Sequence, residues 1–137
     1  GWVNKCWGRT ATYTADVDLA CGRVVSLVQS GTTFRVGYLL LGIDTGPSVF
    51  PIGVTQHSAL AGDPVVVCTE GYTSVTSAST NNAPNRGSVS SGPAIGMVVV
   101  GGTAAADQAR MGFCAQNVAV SAGNNIFIKF TGFFQPT

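Results

Sequence analysis

Charged residues are scarce in this sequence. Only 9% of the 137 residues are Asp, Glu, Lys or Arg, whereas about 25% is usual in globular proteins. Seven basic and six acidic residues nearly balance, and the basic ones are scattered along the chain. Because nucleic-acid binding needs clustered basic side chains, no nucleic-acid partner is predicted. A nearly neutral surface repels its neighbours weakly, which suits a protein that works in contact with others.

Residues suited to catalysis are also few. His57 is the only histidine, and its neighbour Ser58 would point to the opposite face if both lay on one strand. The sequence contains no GxSxG nucleophile elbow, phosphate-binding loop or HExxH zinc motif. We therefore expect no enzymatic activity and no catalytic, cofactor-binding or metal site. A hydrolase that depends on His57 is the enzymatic alternative.

The cysteines show no metal-ligand spacing. None of the four, Cys6, Cys21, Cys68 and Cys114, belongs to a CxxC pair, so a zinc site is not expected. Four cysteines can form two disulfides in three alternative pairings, and the sequence does not indicate which pairing occurs. Cys68 and Cys114 lie in strand-like runs, where small buried thiols are common. Without evidence of export, thiols are favoured over disulfides.

Long apolar runs are absent as well. No run approaches the ~18 residues that a membrane-spanning helix needs, and the N-terminus lacks the basic start and apolar middle of a signal peptide. The chain begins with Gly1 rather than Met, for which removal of an initiator methionine is a simpler explanation than processing of a secreted protein. No membrane partner is predicted.

Glycine and β-branched residues dominate what is present. The chain has 18 glycines, nearly twice the usual share of ~7%. Residues 51–75 read as strand, bend, strand, turn and strand, with the β-prone run PVVVCT at 64–69. Residues 110–132 repeat this pattern, and a glycine spacing of nine recurs in the pairs Gly62, Gly71 and Gly123, Gly132. The recurrence indicates either a duplicated unit or the common sequence pattern of β-hairpins.

These patterns predict an all-β fold, a small single-domain β-sandwich or β-barrel-like structure with at most one short helix. Residues 103–110 are the helix candidate, because Ala, Gln and Arg favour helix. Residues 34–41, with an almost continuous apolar end, are predicted to form a central strand. Residues 76–93 are rich in Ser, Asn, Gly and Pro and predict an exposed loop. The expected organisation is an N-terminal arm at 1–15 and one β domain at 16–137.

The arm contains both tryptophans of the chain and no acidic residue. One interpretation is an edge strand whose tryptophans fold back onto the core. The other is an extended arm that docks on a partner protein, since Trp and Arg are frequent in interface hot spots and an arm can extend a partner's sheet. The candidate contact residues are Trp2, Val3, Lys5, Trp7 and Arg9.

Part of the repeated stretch resembles the capsid decoration, or cement, proteins of tailed bacteriophages. The residues that carry this resemblance are Gly53 and Val54, the run AGDPVVV at 61–67 and TEG at 69–71. A phrase like IGVA…AAGEPVEVVTEGV is typical of that family, and a shorter echo often ends the chain, as residues 112–130 would here. The arm, the loop at 76–93 and the cysteines have no counterpart in the family pattern.

The resemblance implies a structural virion protein that binds the outer surface of the mature head. Such a protein bridges neighbouring subunits of the major capsid protein and stabilises the shell against internal DNA pressure. The resemblance also implies a homo-oligomer, with a trimer favoured over a dimer, made in the host cytoplasm. The alternative is an exposed adhesion or receptor-binding β domain, on a phage fibre or as a secreted module, which intact disulfides would favour.

Overall fold

The computed structural model describes residues 2–30, 33–39, 51–77, 88–91, 96–100, 110–115 and 122–134. Within these ranges the chain forms strands and no helix, which confirms the all-β prediction. No described segment is a helix long and apolar enough to cross a bilayer. The strands are β1 Trp7–Thr14, β2 Val24–Ser30, β3 Thr33–Tyr38, β4 Pro51–Thr55, β5 Pro64–Thr76, β6 Ser88–Ser91, β7 Val98–Val100, β8 Arg110–Cys114 and β9 Asn125–Phe134.

The strands form one antiparallel sheet with the order β3-β2-β4-β5-β9-β8-β6-β7, and β1 pairs with β5 beside this path. No strand ladder closes the sheet among the described residues. However, Ala15, just after β1, forms an isolated bridge to Val36 of β3, and the Asp16 N–H donates to the Val36 carbonyl over 2.9 Å. This contact brings β1 and β3 together, so five strands (β1, β5, β4, β2 and β3) nearly enclose one core.

Two hydrophobic cores lie on opposite sides of β2. Adjacent strand residues point to opposite faces, so Val24 and Val25 enter different cores. The enclosed core contains Ala15, Leu19, Val25, Val36, Val65 and Val67. The larger core contains Val24, Leu39, Val54, Val75, Val98, Met111, Cys114, Ile126, Ile128 and Phe130. Strands β2 and β5 both contribute to the two cores, β5 through Val65 and Val67 on one side and Val75 on the other.

A bulge and a glycine allow β5 to serve both cores. The β1–β5 register moves from Arg9 opposite Glu70 to Thr10 opposite Cys68, so Thr69 is an extra residue on β5. Such a bulge bends and twists its strand. Gly71 follows with φ of 131°, a conformation that residues with a side chain rarely adopt. A Cβ at this position would overlap the Trp7 carbonyl, so β1 approaches β5 as closely as a glycine permits.

The sequence recurrence is a structural repeat. The β4–β5 hairpin pairs Val54 with Cys68, and the β8–β9 hairpin pairs Phe113 with Lys129. In each pair the first residue directly follows a glycine, Gly53 or Gly112, and the second residue lies six positions after another glycine, Gly62 or Gly123. The two hairpins therefore share one register, and the extra residues of the second copy lie in its connecting segment. Gly62 and Gly123 also have the same backbone conformation, with φ of 89° and 84°.

Some segment predictions are wrong. Residues 34–41 were expected to be central, but β3 stands at one end of the strand order, and residues 40–41 lie outside the described residues. Within the predicted loop at 76–93, Ser88–Ser91 instead forms β6, because β7 and β8 supply ladder partners on both sides that a Ser-rich sequence does not reveal. The described residues do not cover 78–87 or 92–93. The helix candidate also lies outside them except for Arg110, which begins β8.

Replacing Gly71 by alanine should destabilise the fold more than replacing Gly62. Both glycines have positive φ, so each substitution strains the backbone by about 1–3 kcal/mol. Only at Gly71 does the added Cβ also crowd β1, at 2.8 Å from the Gly8 Cα. A Cβ added at Gly62 has no atom within 4 Å apart from those of Gly62 itself and its two chain neighbours. We expect Gly71→Ala to lower the free energy of unfolding by about 4 kcal/mol or more, measured by urea denaturation. Equal losses in the two variants would mean that β1 moves aside without cost.

Candidate partner-binding face

A row of side chains crosses four neighbouring strands at one level of the sheet. Trp7 of β1 lies opposite Tyr72 of β5, Tyr72 lies opposite Lys129 of β9, and Lys129 lies opposite Phe113 of β8. Residues directly opposite each other in antiparallel ladders share a face of the sheet. All four side chains are exposed, with Trp7 at 54%, Phe113 at 51% and Tyr72 at 41%.

Phe127 joins the aromatic rings of this row. It lies two residues before Lys129 on β9 and so projects from the same face. Its ring meets Trp7 edge-on at 5.6 Å between centroids and stacks on Tyr72 at 5.9 Å. Aromatic pairs in these geometries contribute about 0.5–1.5 kcal/mol each beyond buried area. The rings therefore hold one another in place although much of their surface is open to solvent.

Two lysines lie over rings of the aromatic group. The Lys5 Nζ lies 5.0 Å from the centroid of the Trp7 ring, and the Lys129 Nζ lies 5.5 Å from that of Tyr72. Cations at this distance are attracted to the negative face of the ring. We call the whole set, which consists of Lys5, Trp7, Tyr72, Phe113, Phe127 and Lys129, the aromatic–lysine face.

The opposite side of the same strands is the larger core. Ile126, Ile128 and Phe130 alternate with Phe127 and Lys129 along β9 and are at most 1% exposed. A sheet with one buried face normally carries polar side chains on the other. Here the outer face carries large aromatic rings instead, which is the usual composition of a protein-binding surface.

The segment before β1 is fixed by a disulfide and by Asn4. Cys6 and Cys68 form a disulfide that joins positions 62 residues apart, with 5.7 Å between their Cα atoms. The Asn4 Nδ2 donates to the Ser74 carbonyl over 2.6 Å, and the Asn4 Oδ1 accepts from the Ser74 N–H over 3.3 Å. These bonds hold Lys5 and Trp7 against β5.

The expectation of thiols at Cys6 and Cys68 is wrong. Pairing of β1 with β5 brings two positions together that are far apart in the sequence, and spacing alone could not reveal it. Closing a loop of this length stabilises a fold by about 2–4 kcal/mol. Cys21 and Cys114 are buried and lie outside any disulfide. Burial raises the pKa of the Cys21 thiol, more than the backbone of Asn4 and Gly22 lowers it.

The structure brings together two of the five predicted contact residues, Lys5 and Trp7. Trp2 is 40% exposed but lies over Gly22, in the wall of a cleft away from the aromatic row. Val3 is 80% exposed, and Arg9 is exposed opposite Glu70. Their role as contacts stays a prediction.

Sequence reasoning missed Tyr72, Phe113, Phe127 and Lys129. In β9 the run NIFIKF alternates the core residues Ile126, Ile128 and Phe130 with Phe127 and Lys129. This alternation is the signal that could have placed Phe127 and Lys129 outside. Nothing in the sequence indicates that β1, β5, β9 and β8 stand side by side.

His57 bonds to the backbone through both ring nitrogens. The Val66 N–H donates to Nε2 over 3.0 Å, so Nε2 must be unprotonated and Nδ1 carries the hydrogen. Nδ1 then donates to the Ser58 carbonyl over 2.9 Å. Elsewhere in the described part of the chain, no three histidine, cysteine or acidic side chains come together as metal ligands would.

Comparisons with solved structures show a shared fold. No family model matches the chain, and no curated protein sequence matches it. The fold is similar to the crystal structure of the N base of the head fiber protein gp8.5 of bacteriophage phi29, with a TM-score of 0.61 and 13% sequence identity. The likeness covers 93% of this chain and 98% of that chain. At this identity it shows a shared fold.

Thiol titration checks the disulfide assignment. In denaturant without reductant we expect two reactive thiols per chain, from Cys21 and Cys114, and four after reduction. In the native protein at pH 8, Cys21 should react more slowly than a small-molecule thiol, because it is buried and its raised pKa lowers the thiolate fraction. Four thiols before reduction, in protein prepared under air, would contradict the Cys6–Cys68 bond.

Proposed function

We propose that this protein is a structural component of a bacteriophage virion that decorates the outer surface of the head. In this role it bridges neighbouring subunits of the major capsid protein and stabilises the shell against the pressure of packaged DNA. The observation that carries the proposal is the shared fold with a phage head fiber base over nearly the whole of both chains. The decoration-protein motif in β4 and β5 supports it independently from the sequence.

The physical properties of the chain suit this role. A decoration protein works through several modest contacts at once, and linkage of those contacts raises the overall affinity without any new interaction. A closed homo-oligomer, for which we favour a trimer, would present the same contact surface several times. A weakly charged surface also permits dense packing of many copies on one shell.

The N-terminal segment is the proposed contact region. Trp7 lies exposed on a strand that a disulfide and the ladder to β5 hold in place. We favour contact through the side chains of β1, because one edge of residues 7–14 already hydrogen-bonds to β5 of the same chain. No enzymatic role is proposed.

An exposed adhesion or receptor-binding domain is the second candidate. The Cys6–Cys68 disulfide favours it, since disulfides persist in oxidising surroundings. Virion surfaces are among those surroundings, so the disulfide accords with head decoration too. The two candidates differ in location: one covers the head, and the other projects from a fibre or acts as a secreted module.

Cryo-electron microscopy of intact particles of the encoding phage tests the proposal. We expect regular density for this chain over the head, in contact with two or more capsid subunits, at a stoichiometry that also gives the oligomeric state. Particles from a phage with the gene deleted serve as the control and should lack that density. Density only on the tail or on a fibre, or none on the particle, would overturn the decoration role and favour the adhesion domain.

Deletion of residues 1–10 is a less specific test of the contact region than a single substitution. It removes Cys6 and four residues of β1, so it disturbs the fold as well as the surface. Single substitutions on exposed side chains separate these two effects.

A further inference from the structure

We infer that the aromatic–lysine face is the surface that docks on the partner, and that the partner's matching surface is apolar at its centre and acidic at its rim. The inference rests on the proposed function and gives it a contact surface and a partner chemistry. It adds Tyr72, Phe113, Phe127 and Lys129 to the predicted contacts.

Comparison of equivalent positions in the two hairpins shows that this face is exposed in the second one. In the first hairpin the positions equivalent to Phe113 and Lys129 are Val54 and Cys68. Both are fully buried, Val54 in the larger core and Cys68 in the disulfide with Cys6. In the second hairpin the same two positions are exposed and occupied by an aromatic ring and a cation. One copy of the unit is covered by its own chain, and the other presents its face to solvent.

The face has the composition and rigidity of an interface centre. Trp and Tyr are enriched among the residues that dominate binding energy. Trp7 and Tyr72 are already packed on Phe127, and every aromatic member stands on a hydrogen-bonded strand. Binding therefore requires little ordering of side chains, which lowers the entropic cost of association.

Charge identifies the kind of partner. Lys5 and Lys129 contact rings, and neither forms an ion pair among the residues that the structure describes. The nearby acidic residue on β5, Glu70, lies opposite Arg9 in the ladder. A partner with carboxylates at the rim would match them. A second copy docked face to face would place lysines against lysines, which disfavours a symmetric dimer through this surface.

The far end of the same ladder has the opposite charge. The β1–β5 ladder runs from Trp7 opposite Tyr72 to Thr14 opposite Pro64, about 24 Å away at ~3.4 Å per residue. The segments just beyond that end contain three acidic residues, Asp16, Asp18 and Asp63. An acidic partner would attract the lysine end and repel the acidic end. This difference in charge would set the direction of the β1–β5 ladder on the partner's surface.

Rebinding to phage heads assembled without the protein tests the inference. Purified wild-type protein and the Lys129→Glu variant are titrated onto the heads at several salt concentrations. The matched control is Arg35→Glu, which makes the same change of charge on β3, a strand that β2, β4 and β5 separate from β9. Thermal unfolding of each variant confirms that it is folded.

We expect Lys129→Glu to bind about tenfold more weakly or worse, with a smaller loss of binding as salt rises, because a favourable charge pair becomes a repulsive one. Trp7→Ala should also bind more weakly, and Arg35→Glu should bind like wild type.

If Lys129→Glu and Trp7→Ala both bind the heads with the same affinity as wild type, the inference is wrong, and the proposed head decoration still stands. Weaker binding of Trp7→Ala alone, with no salt dependence, would indicate a neutral partner such as a glycan and would contradict the acidic one. No binding of wild type would overturn the proposed function itself.

Discussion

The pairing of β5 with β1 is the interaction on which the rest of the structure depends. It brings Cys6 next to Cys68, its disulfide partner 62 residues later in the sequence. It places Ala15 beside β3, so that the enclosed core is nearly surrounded by strands. It also sets Trp7 beside Tyr72 at the outer surface. Glycines at positions 8 and 71 make this pairing possible, because a side chain at either one would overlap the neighbouring backbone.

The repeated hairpin explains why a face of the sheet is left open. Both copies use the same register and the same glycine turn, so their backbones present equivalent positions. The copies differ in what surrounds them: the first is enclosed between the two cores, whereas the second has a core on one side only. Because the second hairpin has one exposed face, substitution of its outward residues changes the free energy of folding little. Aromatic and cationic residues occupy these positions, where a soluble protein without a partner would normally carry small polar side chains.

The expected β class followed from sequence for a clear physical reason. Alternating β-branched runs and glycine punctuation are local properties, and strand formation at β4, β5, β8 and β9 depends mainly on them. The edge position of β3 and the pairing of β6 were missed, because strand neighbours are set by long-range hydrogen bonds that carry no local pattern. The disulfide was missed for the same reason: Cys6 and Cys68 become neighbours only when β1 aligns with β5.

Composition and periodicity are encoded residue by residue, so they are enough to predict a weakly charged β protein with a recurring hairpin pattern. The sequence also indicates Lys5 and Trp7 in the N-terminal segment as candidate contacts. That Tyr72, Phe127 and Lys129 are their neighbours follows from the fold alone. Those residues come from strands far apart along the chain, and they meet because the sheet places β1, β5 and β9 side by side.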